Sequence, residues 1–451
     1  MELENITRVY LIGIGGIGMS GLARYFKKRG CVVCGYDKTC TALTSALRNE
    51  GISVVFQDEP DNIPVSFHEK DDHTLIVYTP AIPKDSRILD YFKSRFFTLK
   101  KRSEVLGILS KGMFTIAVAG THGKTTTSSM IAHIFKDSGY DCSAFLGGIA
   151  SNYNSNVLFG DNNTLVVEAD EYDRSFLTLH PDIAIVTSMD ADHLDIYGDK
   201  NHLVDSFKQF TSQLKPGGKL IFCKGLDLKG GITYSANGIA DVQAVNVRIK
   251  DGSFFFDFKN ADLIIENIQM GLPGLHNIEN AVAATEVALI LGIRPDKIRA
   301  ALGNFLGVKR RFEYILRNVE HVYIDDYAHH PEELRACIKA VKTLYPDRKL
   351  TTVFQPHLFT RTRDFADGFA EVLSLTDELI MLDIYPAREL PIEGVNSEMI
   401  LNKVEISKKR LLSKQEVVEY VRDAKPYLLL TVGAGDIDTL VEPFKKALEN
   451  A

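Results

Sequence analysis

The sequence predicts an α/β protein of three domains, and three observations carry that prediction. Two glycine-rich turns each stand between an apolar strand and an amphipathic helix, strands alternate with helices after residue 320, and 451 residues suit about three domains of ~150 residues each.

The first domain, residues 1–107, reads as Rossmann-like. Val9-Tyr10-Leu11-Ile12 is an apolar strand, Gly13-Ile14-Gly15-Gly16-Ile17-Gly18 is a glycine fingerprint, and the following helix turns Leu22, Ala23 and Phe26 inward before stopping at Gly30. A second strand over 31–36 ends in Asp37, nineteen residues past Gly18, where an acid can bond a ribose hydroxyl. Gly13, Gly15, Gly16, Gly18 and Asp37 are therefore a candidate site for a diphosphate and a ribose. Taken alone the pattern favours a nicotinamide cofactor, and a ligand-free strand-to-helix turn is the plainer alternative. Residues 74–83 read as a further strand with a proline-bounded loop. Lys100-Lys101-Arg102 is expected on a solvated surface. Cys31 and Cys34 form a CxxC, but positions three apart in a strand face opposite sides and no second pair lies near, so both are expected in the core.

The second domain, residues 108–308, reads as a parallel sheet of the phosphate-loop ATPase type. Phe114-Thr115-Ile116-Ala117-Val118-Ala119 is a buried strand, and Met130, Ile131, Ile134 and Phe135 recur at helical spacing. Between them lies Gly120-Thr121-His122-Gly123-Lys124-Thr125-Thr126-Thr127. Backbone N–H groups and the helix N-terminus there face an anion, Lys124 adds a point charge, and the Thr125 hydroxyl can hold Mg²⁺, which points to a nucleoside triphosphate. Only Thr121 and His122 separate Gly120 from Gly123, a compression of the usual loop. Glu168 closes the strand that begins at Leu165, and the strand over 183–187 is followed by Asp190, Asp192, His193 and Asp195. Glu168 and His193 are expected to join Thr125 on Mg²⁺, because both fall at the end of the sheet where the loop lies. Acids after strands also cap helices, and Asp190 and Asp195 are left between the two readings. Alternation over 242–268, with Asp251-Gly252 between 245–249 and 254–258, predicts a small antiparallel addition. His276, Asn277 and Asn280 lie on the first turn of a helix expected over 278–291, where they either cap it or reach a base; read alone, capping is simpler.

The third domain, residues 309–451, is predicted to be a second Rossmann-like α/β domain. Its strands are Val322-Tyr323-Ile324-Asp325, 350–354, 379–384 and 428–432, and Pro331 opens a helix. Functional side chains crowd its loops: 309–313, 325–332, 355–361 and 433–437.

Composition excludes some roles. A net charge of −7 argues against a nucleic-acid or membrane-surface partner, and no run of eighteen apolar residues or signal-peptide build appears, so a cytoplasmic location is expected. Six scattered cysteines do not make a disulfide framework.

Taken in order, GIGGIGMSGLA, GTHGKTTT, EADEYDRSFL, DADHLDIY, GLHNIENAVAA, DDYAHHPEE, DIYPARELPIEGVNS and GAGDID resemble the signatures of the Mur ligases along the whole chain. The motifs after residue 320 most resemble members that join L-alanine to UDP-N-acetylmuramate. The resemblance implies an ATP-dependent ligase of peptidoglycan precursor synthesis, acting through an acyl phosphate, with Mg²⁺ and small-molecule substrates and as a monomer or homodimer. It implies that Gly13 to Asp37 hold a uridine diphosphate, that Gly120 to Thr126 and Lys124 hold the triphosphate, and that Thr125, Glu168 and His193 hold magnesium. Arg311 would reach the transferring phosphate, Asp326 the ATP ribose, Tyr327 the adenine, and His276, Asn277 and Asn280 the nucleotide side. His330, His357 and Arg361 would handle alanine, with His330 as general base. Two departures stand out. Leu358 occupies a position where many members carry arginine, and Lys208, near the place of a modified lysine in other members, is expected to be a plain surface lysine. The rival within the family is the ligase that recycles a whole tripeptide; an oxidoreductase built on Gly13 to Asp37 and a non-catalytic nucleotide switch are rivals outside it.

Overall fold

A computed structural model describes residues 3–83, 85–190, 200–250, 253–387 and 389–449. His193, Asp192 and Asp195 lie outside the described residues, as do Asp251 and Gly252. Three sheets with helices form the predicted three-domain α/β fold. The chain divides into two compact units, one of Met1–Val247, Phe256–Met270 and Leu275–Phe305, the other of Arg248–Phe255, Gly271–Gly274 and Leu306–Ala451.

The first sheet is all parallel. Its strands are β1 (Arg8–Ile12), β2 (Val32–Tyr36), β3 (Ser53–Val55), β4 (Thr74–Tyr78) and β5 (Thr98–Lys101), in the order β3-β2-β1-β4-β5. Near-continuous apolar runs build β1 and β4 because both faces are covered. The order reverses beside β1, so the glycine turn after β1 and the Asp37 turn after β2 meet at a switch point. Cys34 is buried in this core, Cys31 packs against core residues, and all six cysteines are free thiols. The core reading of the CxxC therefore holds.

The second sheet comprises β6 (Phe114–Ala119), β7 (Ser143–Ala150), β8 (Ser155–Leu158), β9 (Thr164–Ala169), β10 (Ile183–Val186), β11 (Lys219–Cys223), β12 (Ile232–Ser235), β13 (Val242–Lys250), β14 (Ser253–Lys259) and β15 (Ile264–Gln269). Their order is β15-β14-β13-β12-β11-β10-β6-β9-β7-β8. β10, β6 and β9 are parallel neighbours, so the loops after residues 119, 169 and 186 open at one end of the sheet. β7 pairs parallel with β9 and antiparallel with the short edge strand β8. The first two sheets share one hydrophobic core, in which Leu22 and Phe26 join Phe145, Val157 and Val167. Asn156 of β8 reinforces this junction, donating to the Ile17 carbonyl and, at 3.1 Å, to the Ser20 hydroxyl.

In the other unit β16 (Glu313–Arg317), β17 (Val322–Asp326), β18 (Leu350–Phe354), β19 (Glu378–Met381), β20 (Lys409–Leu411) and β21 (Leu428–Val432) order as β16-β17-β21-β18-β19-β20. Only β16 runs antiparallel to its neighbour. The carboxyl ends of β17, β21, β18 and β19 therefore lie side by side. No helix among the described residues is long and apolar enough to cross a membrane.

Candidate active site

At the first glycine turn, Gly13 and Ile14 donate their N–H groups to the Tyr36 carbonyl, which ties β1 to β2. The Asp37 carboxylate accepts from the Gly15 N–H at 2.7 Å and the Thr39 N–H at 3.1 Å, so the acid is fastened to the fingerprint it was predicted to serve. A β-carbon at Gly15 would stand 2.6 Å from Thr44 and 2.7 Å from Asp37, which is why the position needs glycine.

The Lys100-Lys101-Arg102 stretch departs from expectation. It is not a bare solvated surface: Lys101 pairs with Asp173 at 3.0 Å, and Arg102 pairs with Asp170 at 3.4 Å with its side chain only 23% exposed. The Arg102 guanidinium lies over Gly18, where any β-carbon would collide with it. Charge complementarity across two sheets, invisible in the local sequence, holds these side chains in place.

The compressed loop after β6 does lead into a helix, Lys124–Ser138, with Gly123 as its left-handed N-cap at φ 82°. The turn after β10 fastens it. The Thr121 and Ser188 hydroxyls lie 2.9 Å apart, the His122 N–H donates to Ser188 Oγ at 2.7 Å, and Thr187 Oγ1 donates to the Ala119 and His122 carbonyls. Asp190 contributes its N–H to Thr121 Oγ1 at 3.1 Å, while its exposed carboxylate faces His122 at 4.0 Å. Thr125 and Thr126 are buried on the first turn of the helix.

Lys124 curls back over the loop. Its ammonium donates to the Gly120 carbonyl at 2.6 Å and pairs with Glu171, whose two carboxylate oxygens lie 2.9 and 2.8 Å away. Glu171 is 1% exposed. Burial pushes its carboxyl up, and the Lys124 charge pulls it back down. In the sequence Glu171 is marked only as a second acid two residues past the end of β9. Glu168, on β9 level with Val118, accepts from the Gly147 N–H at 2.9 Å.

The helix bearing His276, Asn277 and Asn280 starts earlier than predicted, at Leu275–Ile290. All three residues therefore sit within its first two turns. His276 is exposed, whereas Asn277 and Asn280 are buried against the phosphate-loop helix, Asn280 Nδ2 donating to Asn277 Oδ1 at 3.4 Å. A β-carbon at Gly123 would stand 2.8 Å from Asn280 Oδ1, so this amide lies at the loop itself.

The second unit gathers the other group. Arg310 and Phe312 adopt left-handed backbone at φ 61° and 50°, and the turn presents Arg311 between them. Arg310 faces inward. It donates to Asp325 at 3.2 Å and to the Gly433 and Gly435 carbonyls at 2.5 and 3.3 Å, and Asp325 is fully buried. Arg311 is exposed, its guanidinium 5.8 Å from the Tyr327 ring. Asp326 accepts from the Phe312 and Ala328 N–H groups at 2.6 and 2.7 Å. Desolvation pushes the Asp325 and Asp326 carboxyls up to about 6 each, opposed by Arg310 and Arg311 respectively.

His330 caps the helix Pro331–Leu344 and packs edge-on to Phe365, ring centres 4.5 Å apart. The unanticipated member is His329. It lies between Tyr327 and His357, at 5.3 and 5.9 Å, and its Nδ1–H donates to the Tyr327 carbonyl at 2.9 Å. Burial holds its imidazole below the ordinary value against the pull of Glu333. His357 stacks on Tyr385 and meets Arg361 at 3.5 Å. Leu358 stands in left-handed backbone at φ 69°, its N–H held by the Tyr385 carbonyl at 3.0 Å. Lys208 is a surface lysine paired with Asp227 at 2.6 Å.

Thus the residues of the Gly120–Thr126 loop, with Glu168, Glu171, Asn277 and Asn280, lie in one unit and Arg311, Asp326, Tyr327, His330, His357 and Arg361 in the other. Three family models match in succession: the Mur ligase family catalytic domain over residues 8–113, the Mur ligase middle domain over 118–288, and the Mur ligase glutamate ligase domain over 310–437. A UDP-N-acetylmuramate–L-alanine ligase from Flavobacterium psychrophilum is 51% identical, each chain covered over 100% of its length. One of the same name from Parabacteroides distasonis is 49% identical over 99% of this chain and 98% of its own. Among solved structures, a UDP-N-acetylmuramate-alanine ligase from Thermotoga maritima superimposes with a TM-score of 0.84 at 26% identity, covering 98% of this chain and 99% of its own. The chain belongs to the Mur ligase family.

Proposed function

We propose that this chain is an ATP-dependent ligase that joins L-alanine to UDP-N-acetylmuramate, giving ADP, phosphate and the amide. The observation that carries this reading is identity of about half, end to end, with ligases of that name. Residues 1–107 hold the UDP substrate, 108–308 the ATP, and 309–451 complete the nucleotide and amino-acid sites.

The reaction brings a carboxylate against a triphosphate, so charge stabilisation is the main catalytic demand. A muramate carboxylate oxygen attacks the γ-phosphorus and the bond to the ADP oxygen breaks. The alanine nitrogen then attacks the acyl carbon, phosphate leaves, and one amine proton passes to a base, for which His330 is the candidate. Lys124 and the loop N–H groups bind the β and γ phosphates, and Arg311 meets the transferring group. Asp326 takes the ribose hydroxyls, Tyr327 the adenine, and His357 and Arg361 the alanine carboxylate.

The donor set fits Mg²⁺. Thr125 and Glu168 offer hard oxygen donors at the end of the sheet where the loop lies, and His193, expected with them, is outside the described residues. Hard oxygen donors suit a cation that keeps waters and shares phosphate oxygens. When bound, magnesium neutralises triphosphate charge.

Phosphate release from Mg-ATP and UDP-N-acetylmuramate, with L-alanine, L-serine, glycine or Ala-Glu-diaminopimelate added singly, tests the assignment. Release strongest with alanine supports it. Release with the tripeptide alone transfers the chain to the recycling ligases, and release with none removes the ligase reading. One methyl group is worth about 1–3 kcal/mol, so glycine is expected to be a poor but measurable substrate.

A further inference from the structure

The environment of Lys124 carries an inference about nucleotide binding and release. An ammonium has three N–H donors. Here they are directed at the Gly120 carbonyl (2.6 Å), the Glu171 carboxylate (2.8 and 2.9 Å) and, at longer range, the Thr121 carbonyl (3.4 Å). Both carbonyls belong to the loop and move with it. Among the described residues Glu171 is the one independent partner of Lys124 and its one charged partner. A phosphate that is to take a short, charge-assisted bond from Lys124 must therefore take over the place of this carboxylate.

The segment bearing Glu171 is built to hold the acid there. Asp170 before it pairs with Arg102, and Asp173 after it pairs with Lys101. Asp173 and Arg174 both sit at φ 52°, a conformation that costs a non-glycine residue free energy and persists only where the surroundings impose it. The acid itself is 1% exposed, so its charge acts on Lys124 with little screening by water.

We propose that Glu171 is a positioning residue of the ATP site: its carboxylate holds Lys124 in competition with the β and γ phosphates, yields the lysine to them on binding, and recaptures it as ADP leaves. Glu171 thereby weakens nucleotide binding and speeds release. The inference rests on the reading of Lys124 as a phosphate ligand. By population-shift reasoning, apparent affinity scales with the fraction of protein whose lysine is available, so removing the competitor tightens binding.

The test measures Kd and dissociation rate of a fluorescent ADP analogue, with magnesium, on the full chain and on Glu171→Gln and Glu171→Asp. The amide keeps the shape and removes the charge. It is expected to lower Kd by about three- to tenfold, chiefly through slower dissociation, and to lower kcat as product release slows. Aspartate withdraws the carboxylate by one methylene and is expected to tighten binding to a smaller degree, so it carries the test if the glutamine variant does not fold. A Kd equal to or above that of the parent chain in the folded variants overturns the proposal and leaves Glu171 a purely structural acid. Failure of the parent chain itself to bind the analogue overturns instead the reading of the loop as a phosphate site.

Discussion

Two adjacent arginines should behave as opposites. Arg310 is held by a fully buried carboxylate and two backbone carbonyls, whereas Arg311 is exposed. Removing one partner of a buried ion pair costs about 3–5 kcal/mol when the remaining charge is stranded. Asp325 has two reliefs: it keeps the bond from the Thr431 hydroxyl, and burial already holds its carboxyl up to about 6, so it can take a proton. The two reliefs bring the expected loss for Arg310→Ala to the bottom of that range or just below it, about 2–3 kcal/mol. At roughly 2–4 °C per kcal/mol for a unit of this size, that is a fall of about 4–12 °C in the melting transition of the second unit. Arg311→Ala should stay within about 0.5 kcal/mol of the parent yet lose turnover by at least about a hundredfold, as arginines that meet transferring phosphoryl groups do. Differential scanning calorimetry alongside phosphate-release kinetics checks both. A parent-like melting temperature for Arg310→Ala, or equal melting losses for the two variants, would refute the division of labour.

Three further outcomes are expected. Glu168→Gln should raise the magnesium concentration for half-maximal turnover by about tenfold or more, read from a magnesium titration at saturating ATP; an unchanged midpoint would remove Glu168 from the metal set. Gly15→Ala, whose β-carbon would stand 2.6 Å from Thr44 and 2.7 Å from Asp37, should raise KM for the UDP substrate while leaving ATP affinity within about twofold, because distant sites act independently; parallel losses in both would count against separate sites. His133 is buried between the Tyr153 hydroxyl at 2.9 Å and the Ala301 carbonyl at 3.1 Å, and burial holds its imidazole below the ordinary value. The unfolded chain thus binds the proton first, so this stability contribution is full above the unfolded pKa of about 6.5 and falls as pH drops below it. Melting curves from pH 7.5 to 5.5 should show a steeper decline for the parent than for His133→Gln, and identical slopes would refute that source.

What could be read in the sequence was whatever lies close together in the chain. The fingerprint from Gly13 to Asp37, the loop from Gly120 to Thr126 and the strand end at Glu168 each declare themselves through local spacing. Arg102, Glu171 and His329 did not, because their roles depend on neighbours tens of residues away: Gly18 and Asp170 for Arg102, Lys124 for Glu171, His357 for His329. Local pattern also failed to separate Arg310 from Arg311, which differ only in the direction imposed by two left-handed residues. Asn277 and Asn280 read most simply as caps until the helix proved to start at Leu275, which turns both against the phosphate-loop helix.

The core shared by the first two sheets limits how far the chain is modular. Leu22 and Phe26 of the first are packed in one body with Phe145 and Val157 of the second, and a β-carbon at Gly21 would come within 3.4 Å of Phe145. A chimera that takes its first domain from a relative would have to import the matching face of β7 and β8 with it. Breeding new substrate specificity by swapping that domain alone should yield insoluble protein.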